Sequence, residues 1–260
     1  MNPDKMISEN DLFHVKNLDE ILMEILGESI SENVNIVNKR LELSDTTDTI
    51  VKKSLKKFYK TKEYGDSLTK YLTKIDDVSR QKLASYQKKG LLIKPSEVNP
   101  YQKLAIDEHL SYLNENGLNN RFNQPLRKII YSNINAGKSQ NELEAELKNF
   151  VSKKEALSKY IKQAAIQGAD AYTSIIDQKI TDKYIDDITG YTMVGSLIES
   201  SSPQCRYCVE KLKRKIKKED WETIREIALQ NGLIEGTEFK TLPTHKLHWG
   251  CRHQFTPIIE

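Results

Sequence analysis

The chain has 260 residues, with 40 Lys or Arg against 37 Asp or Glu, so its formal net charge is only +3. This length is sufficient to bury a core without disulfides, and a nearly balanced charge does not by itself indicate a nucleic-acid partner. An odd count of cysteines and the lack of an apolar leader after Met1 favour a reducing compartment over a secreted disulfide framework. No segment approaches the roughly 18 apolar residues of a membrane span, so we expect an intracellular protein without a membrane partner.

Helical periodicity dominates the first two thirds of the chain. Two apolar stripes have the three-and-four spacing of one helix face: Leu68, Tyr71, Leu72, Ile75 and Val78, then Phe122, Leu126, Ile129, Ile130 and Ile134. The pattern predicts about six to eight helices between about Leu12 and about Ile180. We expect breaks near Gly65, Gly90 to Pro95, Gly117 and Gly137.

Capping residues predict where several of these helices begin. The expected starts are Asn99 with Pro100, Ser139 with Glu142, and Ser152 with Glu155. The first pair places a capping side chain before a proline that suits the first helical turn. The other two pairs have the spacing of a capping box, in which a hydroxyl and a carboxylate satisfy two free backbone N–H groups.

The sequence changes character after Asp187. The segment from Gly190 to Glu199 is β-branched and apolar and is predicted to be a strand. A short helix is predicted from about Glu219 to Gln230, and the final residues should be extended, with Pro257 at a sheet edge. The predicted fold is therefore mainly α, a multi-helix stalk or bundle that carries a small C-terminal α+β region, here called the knob.

All three cysteines and three of the five histidines lie in the knob. Cys205 and Cys208 form a Cys-x-x-Cys pair, and Cys251 stands between His248 and His253. A Cys-x-x-Cys turn lets two thiolates bind one ion, and structural zinc takes four nitrogen or sulfur ligands. We therefore predict one structural zinc ion bound by the three cysteines and one of the two histidines, which would clip the knob together.

Other interpretations of this cluster stay open. Cysteines are often small buried apolar residues, and a Cys-x-x-Cys pair can be redox-active, although the βαβ pattern of thioredoxin-like proteins is missing. A metal-dependent nuclease would use His245 or His253 as its general base. Because no carboxylate stands between those two histidines, and a catalytic zinc usually has one nearby, we expect no enzymatic activity.

A basic run follows the Cys-x-x-Cys pair directly. It holds six basic residues in eight positions: Lys211, Lys213, Arg214, Lys215, Lys217 and Lys218. Such a run could neutralise nucleic-acid phosphates, and it is also typical of a solvated surface. The run contains no aromatic residue, which makes the prediction of nucleic-acid binding a weak one.

The order of these segments resembles the phage head morphogenesis family, the minor head proteins similar to protein F of phage Mu. The matching segments are "IIYSNINAGKSQNELEAEL" (Ile129 to Leu147), the helix from Ser152 to about Ile176, "YTMVGS", "SSPQCRYC" and "HWGCRHQFTPI" (His248 to Ile258). His248, Cys251 and His253 match the closing H-x-x-C-x-[CH] pattern of the family, and Cys205 with Cys208 match its upstream pair. The resemblance covers roughly Asn120 to Ile258.

The resemblance implies a minor structural protein of a tailed-phage head, made in the bacterial cytoplasm and located in the virion near the portal. Its implied partners are the portal and the major capsid protein, with packaged DNA as a further candidate and no small-molecule substrate. An alternative is a zinc-stapled adaptor that binds nucleic acid outside a capsid. The predicted division is residues 1–117 as a helical region of unknown role, 118–187 as the helical region that resembles the family, and 188–260 as the knob.

Overall fold

The computed structural model describes residues 18–37, 40–43, 45–153, 156–248, 251 and 253–259. The helices that precede the knob are α1 (Leu18–Asn33), α2 (Thr47–Tyr59), α3 (Lys62–Lys88), α4 (Pro95–Leu113), α5 (Glu115–Asn135), α6 (Gln140–Lys148) and α7 (Ala156–Lys183). The prediction of a mainly helical protein is confirmed. In the part of the chain that the structure describes, no helix combines the length and the apolar character that crossing a membrane requires.

The knob contains a three-stranded antiparallel sheet, in which Ile188–Val194 is the central strand between Lys215–Lys217 and Gln254–Ile259. Its elements are β3 (Ile188–Val194), α8 (Pro203–Arg206) with the π-helical turn Tyr207–Lys211, β4 (Lys215–Lys217), α9 (Trp221–Leu229), α10 (Leu242–His245) and β5 (Gln254–Ile259). The predicted strand exists but ends at Val194, because Gly195 has φ 124°, which extended backbone does not adopt. Pro257 lies on the outer strand β5, as predicted for a residue without an N–H group.

A β-hairpin between the first two helices was not predicted. Strand β1 (Val34–Val37) pairs with β2 (Arg40–Leu43) in antiparallel register, with Val34 opposite Leu43. The expectation of helices alone was wrong here. The alternation of Val34 and Ile36 with asparagines has the period of two that a strand requires, but it extends over too few residues to outweigh the helical pattern around it.

Two of the four predicted helix breaks are confirmed. Gly90 and Gly137 both follow helix ends and have φ values of 80° and 66°, which favour glycine. The break predicted near Gly65 falls a few residues earlier, at residues 60 and 61, and Gly65 itself lies near the start of α3. Gly117 lies within the first turn of α5, and the break falls before it at Asn114, whose side chain accepts a hydrogen bond from the Gly117 N–H.

The capping predictions had different outcomes. The capping box of Ser139 and Glu142 is present at the start of α6. Asn99 and Pro100 lie inside α4 and do not start it, because Pro95 already occupies the first turn of that helix. The proposed partner of Ser152 lies outside the described residues, and Ser152 itself belongs to a π-helical turn.

Residue contacts divide the chain into two compact units. The described part of unit one comprises residues 75–106 and 167–259, and that of unit two comprises residues 18–74 and 107–166, apart from the gaps given above. In unit two, α1, α2, α5 and α6 pack on one another. Tyr71 of this unit donates a hydrogen bond of 2.9 Å to the Ala165 carbonyl. The three regions predicted from the sequence, with boundaries after residues 117 and 187, were defined by changes in residue pattern, and they stay a prediction.

Unit one has two apolar clusters. The first joins residues of α3, α4 and α7: Leu83, Tyr86, Val98, Ile176 and Ile180 are among its members. The second is the core of the knob, where Tyr191, Met193, Ile216 and Phe255 of the sheet surround Cys205 and Cys208. Ile259 of β5 packs against both clusters, so the knob shares its packing with the helices of this unit.

A buried ion pair lies in the helical part of unit one. Lys82 of α3 contacts Oδ2 of Asp177 on α7, and the Tyr86 hydroxyl donates to Oδ1 of the same carboxylate at 2.6 Å. The side chain of Lys82 is 10% exposed and that of Asp177 is fully buried. Burial raises the pKa of the Asp177 carboxyl above its usual 3.8, while the charge of Lys82 acts in the opposite direction.

Candidate metal centre

The Cys-x-x-Cys segment folds as a helical turn whose two thiols enter the knob core. Ser202 caps α8, with its hydroxyl accepting a hydrogen bond from the Cys205 N–H, and Pro203 occupies the first helical position. The chain continues as a π-helical turn that carries Cys208. Cys205 and Cys208 are fully buried, so the cap and the turn present both sulfur atoms to the interior.

The second donor segment lies between α10 and β5. Leu247 is fully buried and anchors the segment in the knob core, and His248 follows it. The Cys251 N–H donates to the His248 carbonyl at 3.1 Å, which closes a turn that carries both side chains. Trp249, Gly250 and Arg252 lie outside the described residues.

Three of the five predicted ligands meet at one point. The donor atoms of Cys205, His248 and Cys251 all lie within 4.8 Å of one another, and this group could hold a metal ion. The Cys205 Sγ atom is 3.2 Å from His248 Nε2 and 3.8 Å from Cys251 Sγ. An ion that binds two thiolates at about 2.3 Å with tetrahedral angles sets their sulfur atoms about 3.8 Å apart, so the two cysteines fit such an ion.

Of the other two predicted ligands, His253 contacts this group and Cys208 belongs to the same apolar core. His253 Nδ1 is 3.7 Å from Cys251 Sγ, near the separation of about 3.5 Å expected between a nitrogen and a sulfur ligand of one zinc ion. His253 is buried, and its Nε2 atom has no hydrogen-bond partner among the described residues. Cys208 belongs to the same core, and burial raises the pKa of its thiol to about 12. Either residue could supply a fourth ligand, whereas His245 is exposed and lies outside the group.

The sulfur atoms of Cys205 and Cys251 lie 3.8 Å apart, at hydrogen-bonding distance. The hydrogen bond from the Cys205 thiol holds the pKa of Cys251 well below its usual value, and the same hydrogen bond together with burial raises the pKa of Cys205. A thiolate is therefore favoured at Cys251, in contact with both histidines. Metal binding requires deprotonated thiols, and a lowered pKa of Cys251 favours this form.

Lys246 attaches the second donor segment to helix α7. Its ammonium group contacts Asp170 Oδ2 at 2.9 Å and Ser174 Oγ at 3.3 Å, and it donates to the His253 carbonyl at 2.9 Å. The side chains of Lys246 and Asp170 are 11% and 17% exposed. Lys246 also has φ 62° and ψ −178°, a backbone conformation almost restricted to glycine. Nothing in the local sequence indicated the attachment to α7, because Asp170 and Ser174 lie more than 70 residues before Lys246.

We expect Lys246→Met to weaken metal binding by about 10- to 100-fold, the effect typical of losing a group that orients a metal ligand. The substitution keeps the side-chain length but removes three polar contacts, so the backbone that carries His248 and His253 loses its attachment to α7. Competition with a chromophoric zinc chelator measures the affinity. Lys211→Met, an exposed lysine of the same region, is the control, and an affinity of Lys246→Met equal to that of the control would contradict the role.

The basic run forms the surface around strand β4. Its lysines at positions 211, 213, 215, 217 and 218 are exposed, whereas Ile216 between them is fully buried. Arg214 is half-buried, and its guanidinium donates to the Gly195 carbonyl. Lys213 and Arg214 have φ values of 52° and 69° and form the tight turn before β4. Five of the six basic residues are thus available to an anionic partner.

Comparison with known proteins identifies no relative, since no family model, no curated protein and no solved structure matches the chain.

Proposed function

We propose that this protein is a minor structural protein of a tailed-phage head, located near the portal and involved in head assembly or in DNA packaging and ejection. The observation that carries the proposal is the meeting of two donor motifs, about forty residues apart, in one partly buried group. These are the motifs on which the resemblance to the minor head proteins depends. In this proposal the donor group binds a metal ion that clips the two segments together, and it has no catalytic role.

The chemistry of the donors supports a structural zinc ion. Thiolate and imidazole ligands favour zinc over the harder divalent cations, and a fourth ligand from Cys208 or His253 would close the tetrahedral site, as in structural zinc sites. Within the described residues the donor group contains no carboxylate. Cys205 and Cys208 belong to the core of the knob, so the ion would stabilise packing there. A nuclease would need an open coordination position and a nearby general base, which makes it the weaker interpretation.

Analysis of purified particles tests the proposed location. Heads of the phage that encodes this chain are expected to contain the protein at a low copy number, and crosslinking mass spectrometry should join it to the portal or the major capsid protein. A phage that lacks the gene, complemented with Cys251→Ser, should yield particles of low infectivity. Complementation with Lys128→Ala, which changes an exposed residue of α5, should restore infectivity fully. Absence of the protein from both empty and DNA-filled heads would refute the proposal.

A nucleic-acid-binding adaptor is the second candidate function. The exposed lysines around β4 favour it, because each lysine that neutralises a phosphate releases a counterion and strengthens binding at low salt. This candidate does not require the protein to be part of a particle. A gel-shift assay at two salt concentrations distinguishes it from a head protein that makes contacts with other proteins only.

A further inference from the structure

A cleft of about 360 Å³ opens beside the basic run in unit one. Its apolar wall consists of Ile185, Ile188, Trp221 and Phe239. Ile185 is 40% exposed, and Phe239 is only partly buried, so apolar surface remains accessible within the cleft. Exposed apolar surface of this kind, with polar groups around it, is typical of a binding site.

Phe239 is held in place by two aromatic neighbours. Its ring centroid is 4.9 Å from that of Tyr191 and 6.3 Å from that of Trp221, with interplanar angles of 65° and 62°. These edge-to-face contacts fix the orientation of the ring. A fixed and partly exposed aromatic ring can receive a flat ligand without losing conformational freedom of its own.

The rim of the cleft is cationic. Lys218 and Lys240 line it, and Lys218 follows directly on strand β4, where Lys215 and Lys217 are exposed. Glu238 also lines the cleft and pairs with Lys240 at 3.1 Å.

Carboxylates neutralise this rim only in part. Besides Glu238, the carboxylate of Glu219 lies 3.4 Å from the ammonium group of Lys217. Both pairs are more than half exposed, and exposed ion pairs contribute little, so they do not prevent the lysines from binding an anion.

We propose that this cleft binds a base of single-stranded nucleic acid, while the lysines beside it contact the adjoining phosphates. Sequence-tolerant binding of single strands combines aromatic rings, on which bases stack, with a cationic path for the backbone. A base in a duplex is paired and stacked, and it could enter the cleft only after extrusion from the helix, which costs a few kcal/mol. The combination of an aromatic and apolar wall with a cationic rim therefore favours single strands over duplexes.

The inference rests on the nucleic-acid-binding candidate, for which it names the form of the nucleic acid and the binding site. It does not depend on a location in a phage head. The basic run contains no aromatic residue, but the fold brings Trp221 and Phe239 to the end of that run at Lys218. Trp221 follows Lys218 by three residues in the sequence, whereas Phe239 reaches the cleft only through the tertiary structure.

Fluorescence anisotropy with the full zinc-loaded chain and a labelled oligothymidylate of about 12 nucleotides tests the proposal. Phe239→Leu should weaken binding at least five-fold with an unchanged salt dependence, because it removes an aromatic ring and no charge. Lys218→Ala should weaken binding and reduce the slope of log K against log salt by about 0.7. Lys128→Ala, an exposed lysine on α5 in unit two, is the charge-matched control and should bind like the unmodified protein.

Ile185→Glu provides an independent variant if Phe239→Leu does not fold. This residue is partly exposed on the cleft wall, and a carboxylate there should weaken oligonucleotide binding by repelling the phosphates. Thermal melting by circular dichroism establishes that each variant is folded.

Three outcomes would overturn the inference. Equal or tighter binding of a duplex, with Phe239→Leu and Ile185→Glu both unaffected, would reject the cleft but keep the nucleic-acid-binding candidate. No binding of either nucleic acid at low salt would reject both. Competition by polyglutamate as strong as that by oligothymidylate would assign the lysines to an acidic protein partner.

Discussion

Cys251→Ser should abolish binding of the proposed zinc ion and unfold the knob, which is the largest effect we expect from a single substitution. The Cys251 sulfur lies 3.8 Å from Cys205 Sγ and 3.7 Å from His253 Nδ1. Loss of this sulfur therefore removes a contact between the Cys-x-x-Cys segment and the second donor segment. In small zinc proteins the binding energy is also folding energy, of about 10–16 kcal/mol. Elemental analysis should show a fall from about one zinc ion per chain to nearly none.

Hydrogen exchange will locate the loss of structure. We expect protection to disappear first in residues 188–259, whose core contains Cys205 and Cys208. The amides of α1, α2 and α5 in unit two should keep their protection, because the described core of unit two contains none of these donors. The unmodified protein, purified without added metal, provides the opposite test. A zinc content near zero, together with three thiols that titrate freely in the native state, would refute the site.

The same assay ranks the remaining ligands. The three-donor group predicts that Cys205→Ser and His248→Ala lose the metal as Cys251→Ser does. Cys208→Ala and His253→Ala then serve as a matched pair. Substitution of the residue that supplies the fourth ligand should lower the affinity for the metal ion. Substitution of the other residue should change only the stability of the knob, through lost packing.

Lys82→Met will lower the free energy of unfolding by about 3–5 kcal/mol at neutral pH. The lysine and the fully buried Asp177 form an ion pair between α3 and α7, and removing the cation leaves a carboxylate in an apolar environment. The hydrogen bond from Tyr86 to Asp177 cannot replace a positive charge. Urea denaturation measured at pH 7 provides the value.

The pH dependence of this variant has a defined sign. Burial raises the pKa of folded Asp177 above the usual 3.8, and in Lys82→Met the pKa should rise further because the nearby positive charge is gone. A carboxyl whose folded pKa is raised favours the folded state when protonated, and this contribution is lost as the pH rises from 3.8 through the folded pKa. The deficit of the variant should therefore be largest at neutral pH and become smaller toward pH 4.

Two further variants control this experiment. Lys88→Met changes an exposed lysine of the same helix and should alter stability by less than about 0.5 kcal/mol. Lys82→Met combined with Asp177→Asn removes both charges and should recover most of the lost stability. A Lys82→Met deficit that is the same at pH 4 and pH 7 would show that Asp177 is not the group left unpaired.

Local sequence patterns determined the helical architecture and the chemistry of the donors. The apolar stripe predicted from Phe122 to Ile134 includes Leu126 and Ile130, which are fully buried in α5. The capping box of Ser139 and Glu142 begins α6 as predicted. These features depend on residues only three or four positions apart, so helix geometry alone relates them. The residue types of the cluster likewise indicated a soft metal ion without any knowledge of the fold.

Only the tertiary structure decided which donors meet. Cys205 and His248 are 43 residues apart, and the fold of the knob brings them to 3.2 Å, while Cys208 stays outside the three-donor group. The contact of Lys246 with Asp170 and the position of Phe239 near Lys218 also join distant parts of the chain. Such contacts depend on sheet pairing and core packing over many residues, for which the local sequence carries no periodic signal.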